Sequence, residues 1–189
     1  MTDKKIVIGI IGEIGSGKGA AARYLKEKFG AENLRFSTML RDIMRRIHLP
    51  ETRENMQTVS TMLRRTFGED VLARVMYDDA VEATAPLIVT EGIRRPSDIA
   101  FLSKLPGFRM IYITCDEKLR FARMHIRNEN ADDGTLTWEE FRVRSNAETE
   151  TQIPAIAQLA EYKIDNNGTA DELYKNLDAV IAKIKNTPA

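Results

Sequence analysis

A parallel α/β sheet with crossover helices is the fold class this chain predicts, and three observations predict it. Short apolar runs alternate with longer amphipathic stretches, the signature of strand, helix and strand in one parallel sheet. The first apolar run, IVIGII at 6–11, passes straight into a glycine-rich stretch and then into a helix-forming one. With 43% apolar content over 189 residues, the chain can bury a substantial core, and one domain over 1–189 is the expectation.

The elements follow in order. Strands fit at 6–11, 34–37, 87–90, 109–114 and 162–164, which makes a small five-stranded sheet. Helices fit at 20–29, 38–47, 54–65, 69–83, 98–104, 116–129, 137–148 and 170–184. Ligands of such sheets gather outside the carboxyl ends of the strands, so the residues after each strand matter most.

After the first strand stands Gly12-Glu13-Ile14-Gly15-Ser16-Gly17-Lys18-Gly19-Ala20. Three glycines let backbone N–H groups turn inward around a phosphate chain without Cβ clashes, and the following helix aims its positive end at the same anion. Lys18 is spaced to reach the β- and γ-phosphates. The pattern G-x-x-x-x-G-K-[ST] is met except at its last position, where Gly19 replaces the hydroxyl that ordinarily ligates magnesium, and Ala20 supplies none either.

After the second strand, Ser37 or Thr38 can cap the next helix, with Arg41 one turn further in, a combination able to grip an anion. The letters STMLR recur at 60–64, but nothing around them repeats, so no internal repeat follows. After the third strand, Thr90-Glu91-Gly92-Ile93-Arg94-Arg95-Pro96 places a carboxylate and two arginines at the strand end. Glu91 can hold magnesium through its water shell, and the arginines can take a second phosphate group.

After the fourth strand, Arg120, Arg123 and Arg127 share one helix face beside an apolar stripe of Leu119, Ala122 and Ile126. The polar stretch 128–135 follows, and Thr137-Trp138-Glu139-Glu140 has the form of a capping box that restarts a helix bearing Arg142 and Arg144. Two basic helices around such a connection make a lid, about 120–147, that would close over a triphosphate and exclude water. Trp138 and Phe141 are expected to pack that lid, and Cys115 to lie in the core. His48 and His125 lack the spacing of metal ligands.

Composition narrows the function classes. A single cysteine forms no internal disulfide, and no apolar run reaches the length of a leader core or a membrane span, so a reducing, cytoplasmic setting is the default. Twenty-eight basic residues balance 28 acidic ones, so nothing global points to a nucleic acid or a membrane. Of 17 arginines, 16 lie at 35–144, whereas only Lys104 and Lys118 of 11 lysines do. Arginine's planar fork suits bidentate phosphate contact, which points to phosphate recognition beyond the glycine loop.

On these residues the chain resembles the P-loop nucleoside monophosphate kinases and their relative dephospho-CoA kinase over essentially its whole length. The 12–18 stretch is similar to the dephospho-CoA kinase form, and Lys18-Gly19 to adenylate kinase, which follows with threonine where Ala20 stands. The resemblance implies a P-loop NTPase fold with acceptor-binding helices at about 38–83 and a small lid. It implies ATP as donor with Mg2+, ATP contacts along 12–20, and backbone contacts to the base near Asn167 and Gly168. It implies Arg120, Arg123 and Arg127 on the donor phosphates, Ser37, Thr38 and Arg41 on the acceptor, Arg94 and Arg95 on the acceptor phosphate, and Glu91 on magnesium through water. Lys18, Arg94, Arg120 and Arg123 are then the expected catalytic residues.

Chemistry separates the relatives. A sugar hydroxyl acceptor, as in dephospho-CoA kinase, benefits from a carboxylate base just after the second strand, where this chain reads Phe36-Ser37-Thr38, with only Asp42 within a turn. A phosphate acceptor is already anionic and needs positioning and charge neutralisation alone. The arginine-rich site therefore points to a nucleoside or deoxynucleoside monophosphate. A nucleotide-binding regulatory module that hydrolyses ATP slowly is the reading from another class, motivated by the missing loop hydroxyl. The sequence sets neither the acceptor base nor an oligomeric state.

Overall fold

The computed structural model describes residues 5–127 and 133–186, with the side chains of residues 127 and 133 left aside. Strand β1 (Ile6–Ile11) is buried on both faces, as its unbroken apolar run requires, and forms the middle of the sheet. It pairs in parallel with β3 (Leu87–Glu91) on one side and β4 (Phe108–Thr114) on the other. Outside these lie β2 (Glu32–Arg35) and β5 (Tyr162–Asp165), giving the all-parallel order β2-β3-β1-β4-β5. The register sets Ile10 beside Glu91 and Glu91 beside Arg35, so the carboxyl ends share one edge of the sheet.

Alternation along the strands divides the core between two faces. Val7, Ile11, Ile88 and Met110 pack with α2 (Phe36–Arg46), α3 (Arg53–Phe67) and α4 (Val71–Glu82). Ile8, Ile10, Val89 and Ile111 pack with α1 (Lys18–Phe29) and α9 (Ala170–Asn186). Gly9 leaves room for its neighbours: a Cβ there would stand 2.9 Å from Ile93 Cδ1 and 3.0 Å from Phe108 Cζ.

Several boundaries differ from the expected ones, each for a local reason. Strand β2 ends at Arg35, two residues before the expected end, because its register with β3 runs from Glu32 opposite Ile88 to Arg35 opposite Glu91. Helix α2 therefore starts at Phe36, which is buried, and Ser37 and Thr38 lie inside the first turn rather than at the cap. The expected helix at 98–104 is instead two 3-10 turns, Pro96–Ile99 and Leu102–Lys104. Asp98 draws the first of these tight by accepting the backbone N–H groups of Arg94 and Arg95 at 2.9 and 3.0 Å.

Helix α5 (Glu117–Arg127) carries the arginine face, and a 3-10 turn occupies Asp133–Thr135. The expected extension of α5 over 128–129 lies outside the described residues. Helix α6 (Trp138–Ser145) begins with a formed capping box: Thr137 Oγ1 accepts Glu140 N–H at 3.2 Å, and Glu140 Oε2 accepts Thr137 N–H at 2.8 Å. Instead of running on to 148, the chain breaks and forms α7 (Glu148–Thr151) and α8 (Ile153–Ala157), the latter opened by Pro154 in its first turn. Among the described residues no helix is long and apolar enough to cross a membrane.

Candidate functional site

The glycine loop joins β1 to α1 and lies over the carboxyl edge of the sheet. Gly15 and Gly17 need their glycines on two counts. Their φ angles are 79° and 103°, and a Cβ at Gly15 would meet the Arg120 carbonyl oxygen at 2.6 Å, while one at Gly17 would run into the Asn166 amide. Helix α1 starts directly after Gly17 with no side-chain cap, so its first N–H groups face the loop concavity. Ser16 is fully buried, and its Oγ has no hydrogen-bond partner among the described residues. Lys18 Nζ donates to the Gly12 and Glu13 carbonyls at 2.6 and 2.9 Å. Nothing lies within 4 Å of where a Cβ of Gly19 would stand. A close-fitting backbone cradle, an orphaned buried hydroxyl and a lysine at its rim fit an anionic phosphate chain.

The β4 and β5 ends brace this loop. Asn166 is buried and donates through Nδ2 to the Ser16 carbonyl at 2.8 Å, and Asn167 Oδ1 accepts Asp116 N–H at 2.8 Å. Arg120 is buried with its guanidinium over the Phe141 ring at 5.5 Å, donating to the Cys115 and Ile14 carbonyls at 3.2 and 3.0 Å. Arg123 donates to the Asn166 and Gly168 carbonyls at 2.6 and 2.9 Å. Arg120 thus holds the backbone of the glycine loop at Ile14, and Arg123 that of the stretch after β5; the Arg127 side chain lies outside the described residues. Burial pushes the Cys115 thiol up from its ordinary range. Burial also raises the Tyr112 phenol, and its hydrogen bond to Glu13 Oε1 at 2.7 Å acts in the same direction.

Across the edge, at the ends of β2 and β3, the remaining expected residues gather. Arg41 Nη1 donates to Ser37 Oγ at 2.8 Å and its Nε lies 3.4 Å from Glu51 Oε2, while Thr38 is exposed. Asp42 is exposed and pairs with Arg45 at 3.1 Å. Glu91 is buried, and its Oε1 accepts Asn33 Nδ2 at 2.6 Å and Arg35 Nε at 2.9 Å. Among the described residues no cluster of three acidic, His or Cys groups suited to a metal occurs. That donor set fits magnesium held mainly by phosphates and water, with one protein carboxylate behind the water shell.

Three acidic partners of these residues escaped sequence reasoning. Asp98, almost fully buried, bonds Arg64 Nη2 at 2.6 Å through Oδ1 and the Arg94 and Arg95 N–H groups through Oδ2. Glu150 of α7 is also buried; its Oε2 accepts Ile14 N–H at 2.9 Å and its Oε1 is ion-paired with Arg94. Glu148 pairs with Arg95 at 2.8 Å. The Asp three residues after Arg95, behind Pro96, was a legible turn signal. Nothing local in ETET marks Glu150.

Comparison with known proteins bears on the family and the fold. The chain is 28% identical over 183 residues to a protein named UPF0200 protein from Methanoregula boonei, covering 96% of this chain and 99% of that one. It is 29% identical over 180 residues to a UPF0200 protein from Methanoculleus marisnigri, covering 94% and 96%. Among solved structures, shikimate kinase from Acinetobacter baumannii in complex with shikimate superimposes with a TM-score of 0.59 at 17% identity over 98% of this chain and 97% of that one. Shikimate kinase from Bacteroides thetaiotaomicron gives 0.64 at 11% identity over 95% and 98%. At such identities the likeness is one of fold, that of the P-loop kinases. Residues 11–142, well over half of the chain and including the phosphate loop from Gly12 onward, match the family described as AAA domain, and to that family the chain belongs.

Proposed function

We propose that the protein is an ATP-dependent phosphotransferase that moves the γ-phosphoryl of ATP onto a nucleoside or deoxynucleoside monophosphate. What supports this is a glycine loop with Lys18 after β1 and a group of arginines, Arg35, Arg41, Arg94 and Arg95, on the segments at and after the ends of β2 and β3, along the same carboxyl edge of the sheet. The loop and the first turn of α1 hold the donor phosphates, with Lys18 turning from the Gly12 and Glu13 carbonyls onto them. Arg41, Arg94 and Arg95 take the acceptor phosphate, with Ser37 and Thr38 lining the same helix end. Magnesium bound with the nucleotide supplies counter-charge to the phosphates, and Glu91 holds it through water. Helices α5 and α6 act as the lid, with Arg120 and Arg123 tying it to the loop and to the Asn167 and Gly168 stretch that receives the base.

The acceptor phosphate is its own nucleophile, so the residues have only to align and neutralise it. A hydroxyl acceptor such as dephospho-CoA draws less support, because Asp42 points into solvent beside Arg45. A regulatory nucleotide-binding module keeps one observation in its favour, the hydroxyl-free Gly19-Ala20 pair.

A phosphotransfer panel tests all three: ATP and Mg2+ with each ribo- and deoxyribonucleoside monophosphate, and with dephospho-CoA, products read by mass. A nucleoside diphosphate from one monophosphate is the expected result. Transfer to dephospho-CoA alone would replace it with the hydroxyl reading, and silence with ATP still bound would favour the regulatory module.

A further inference from the structure

Glu150 is a buried acid that the reaction sketched above does not use, and it spans the two halves of the site. Its side chain is 2% exposed, whereas that of its partner Arg94 is 39% exposed. The guanidinium therefore reaches outward from a fixed, buried anchor. The same carboxylate holds the N–H of Ile14 at 2.9 Å, inside the phosphate loop and 136 residues away in sequence. Ile14 is at the same time the loop's contribution to the apolar cluster of Met124, Leu136 and Phe141, packed against Phe121 and Trp138. One carboxylate thus ties together the loop that holds the donor, the arginine that faces the acceptor and the helices that cover both.

We propose that Glu150 is a positioning residue that registers Arg94 against the phosphate loop, so that the acceptor phosphate meets the transferred phosphoryl at a set distance. This rests on the monophosphate-acceptor reading above. An ion pair with an unexposed carboxylate restricts the guanidinium before the acceptor arrives, so less freedom is lost on binding.

The test is Glu150→Gln, which keeps the size of the side chain and an oxygen for Ile14 N–H but removes the charge that holds Arg94. In steady-state kinetics with the monophosphate the wild type accepts, KM for that acceptor should rise roughly 10- to 100-fold, the scale of a misaligned site, while KM for ATP stays near the wild-type value. In an Arg94→Gln background the same change should add nothing further. Glu150→Asp, which keeps the charge, should restore part of the acceptor affinity. An equal rise in both KM values would show a merely structural carboxylate. Tighter acceptor binding in Glu150→Gln would show that Glu150 opposes the acceptor, and either result overturns the proposal.

A readout independent of turnover separates this from the proposed function. The Arg94 side-chain Nε–H signal in 15N NMR, assigned by its loss in Arg94→Lys, should report a restricted guanidinium in the wild type and an averaged one in Glu150→Gln. If no acceptor is phosphorylated but that difference is seen, the monophosphate reading fails and the anchoring of Arg94 stands. If the signal is the same in both proteins, the anchoring itself is refuted.

Discussion

Lys18 is the residue on which the proposed chemistry leans most. It is the cation within the phosphate loop, it sits at the first position of α1, and its ammonium donates to the Gly12 and Glu13 carbonyls of the loop. Lys18→Ala should lower turnover by roughly 2 to 5 orders of magnitude if it neutralises the transferring phosphoryl, with the fold intact by circular dichroism. Near-normal turnover would remove it from the mechanism. Its place was legible because the motif is contiguous: strand, glycines, lysine and helix follow one another within 6–29. Glu150 and Asp98 were not legible in the same way. Their partners, Ile14 and Arg64, lie 136 and 34 residues away, and no local pattern encodes a contact that only the folded chain creates. The arginines of α5 show the same limit from the other side: one helix face was readable, but not that Arg120 and Arg123 bond backbone carbonyls of the loop and of the β5 end.

Among the elements, type was clearer from sequence than extent. Strands β1 and β3 stood out as apolar runs, whereas β2, with the sequence ENLR, is a strand because β3 offers it a partner and not because of its own composition. The two short helices α7 and α8 were unreadable, being too brief for a helical period. Helix α4 was expected and forms, but Asp78, Asp79 and Glu82 crowd its C-terminal end, where the helix dipole is negative; no basic residue of α4 itself stands there, and the end is capped from outside by Lys5, whose Nζ donates to the Ala80, Val81 and Ala83 carbonyls at 3.1, 2.7 and 2.6 Å. Burial and, after it, the neighbouring Glu82, Asp78 and Asp42 charges raise the Asp79 carboxyl above its ordinary 3.8. A carboxyl raised on folding supports the native state below the unfolded value and withdraws that support as pH climbs through the folded one. Asp79→Asn should therefore stabilise the protein at neutral pH by about 0.3 to 1 kcal/mol, the range for a charge at a partly solvated helix end. In thermal melts the gain should fade as pH falls toward 3.8, and a gain that persists there would show that charge is not its source.

At the scale of the whole molecule, the two core faces are joined through the sheet, and α3 is tied to the turn after β3 by a buried ion pair. Arg64 comes from α3 and Asp98 from the 3-10 turn after β3; they are 6% and 2% exposed and meet at 2.6 Å. Asp98 uses its other oxygen on the Arg94 and Arg95 N–H groups, and Arg64 also donates to the Glu69 carbonyl where α3 turns toward α4. Asp98→Asn removes the charge but little volume, so it leaves a buried guanidinium uncompensated and gives one of two oxygens the wrong polarity for an N–H donor. Breaking one side of such a pair costs about 3 to 5 kcal/mol, against a total stability on the order of 5 to 15 kcal/mol for a typical domain. The variant should show a lower denaturant midpoint with an unchanged slope. Because the same atoms set the path of the β3 loop, acceptor affinity should fall with stability even at temperatures where the fold is fully populated. Loss of stability with acceptor binding untouched would mean that Asp98 braces α3 alone, and that Arg94 and Arg95 are placed by Glu150 and Glu148 from the other side.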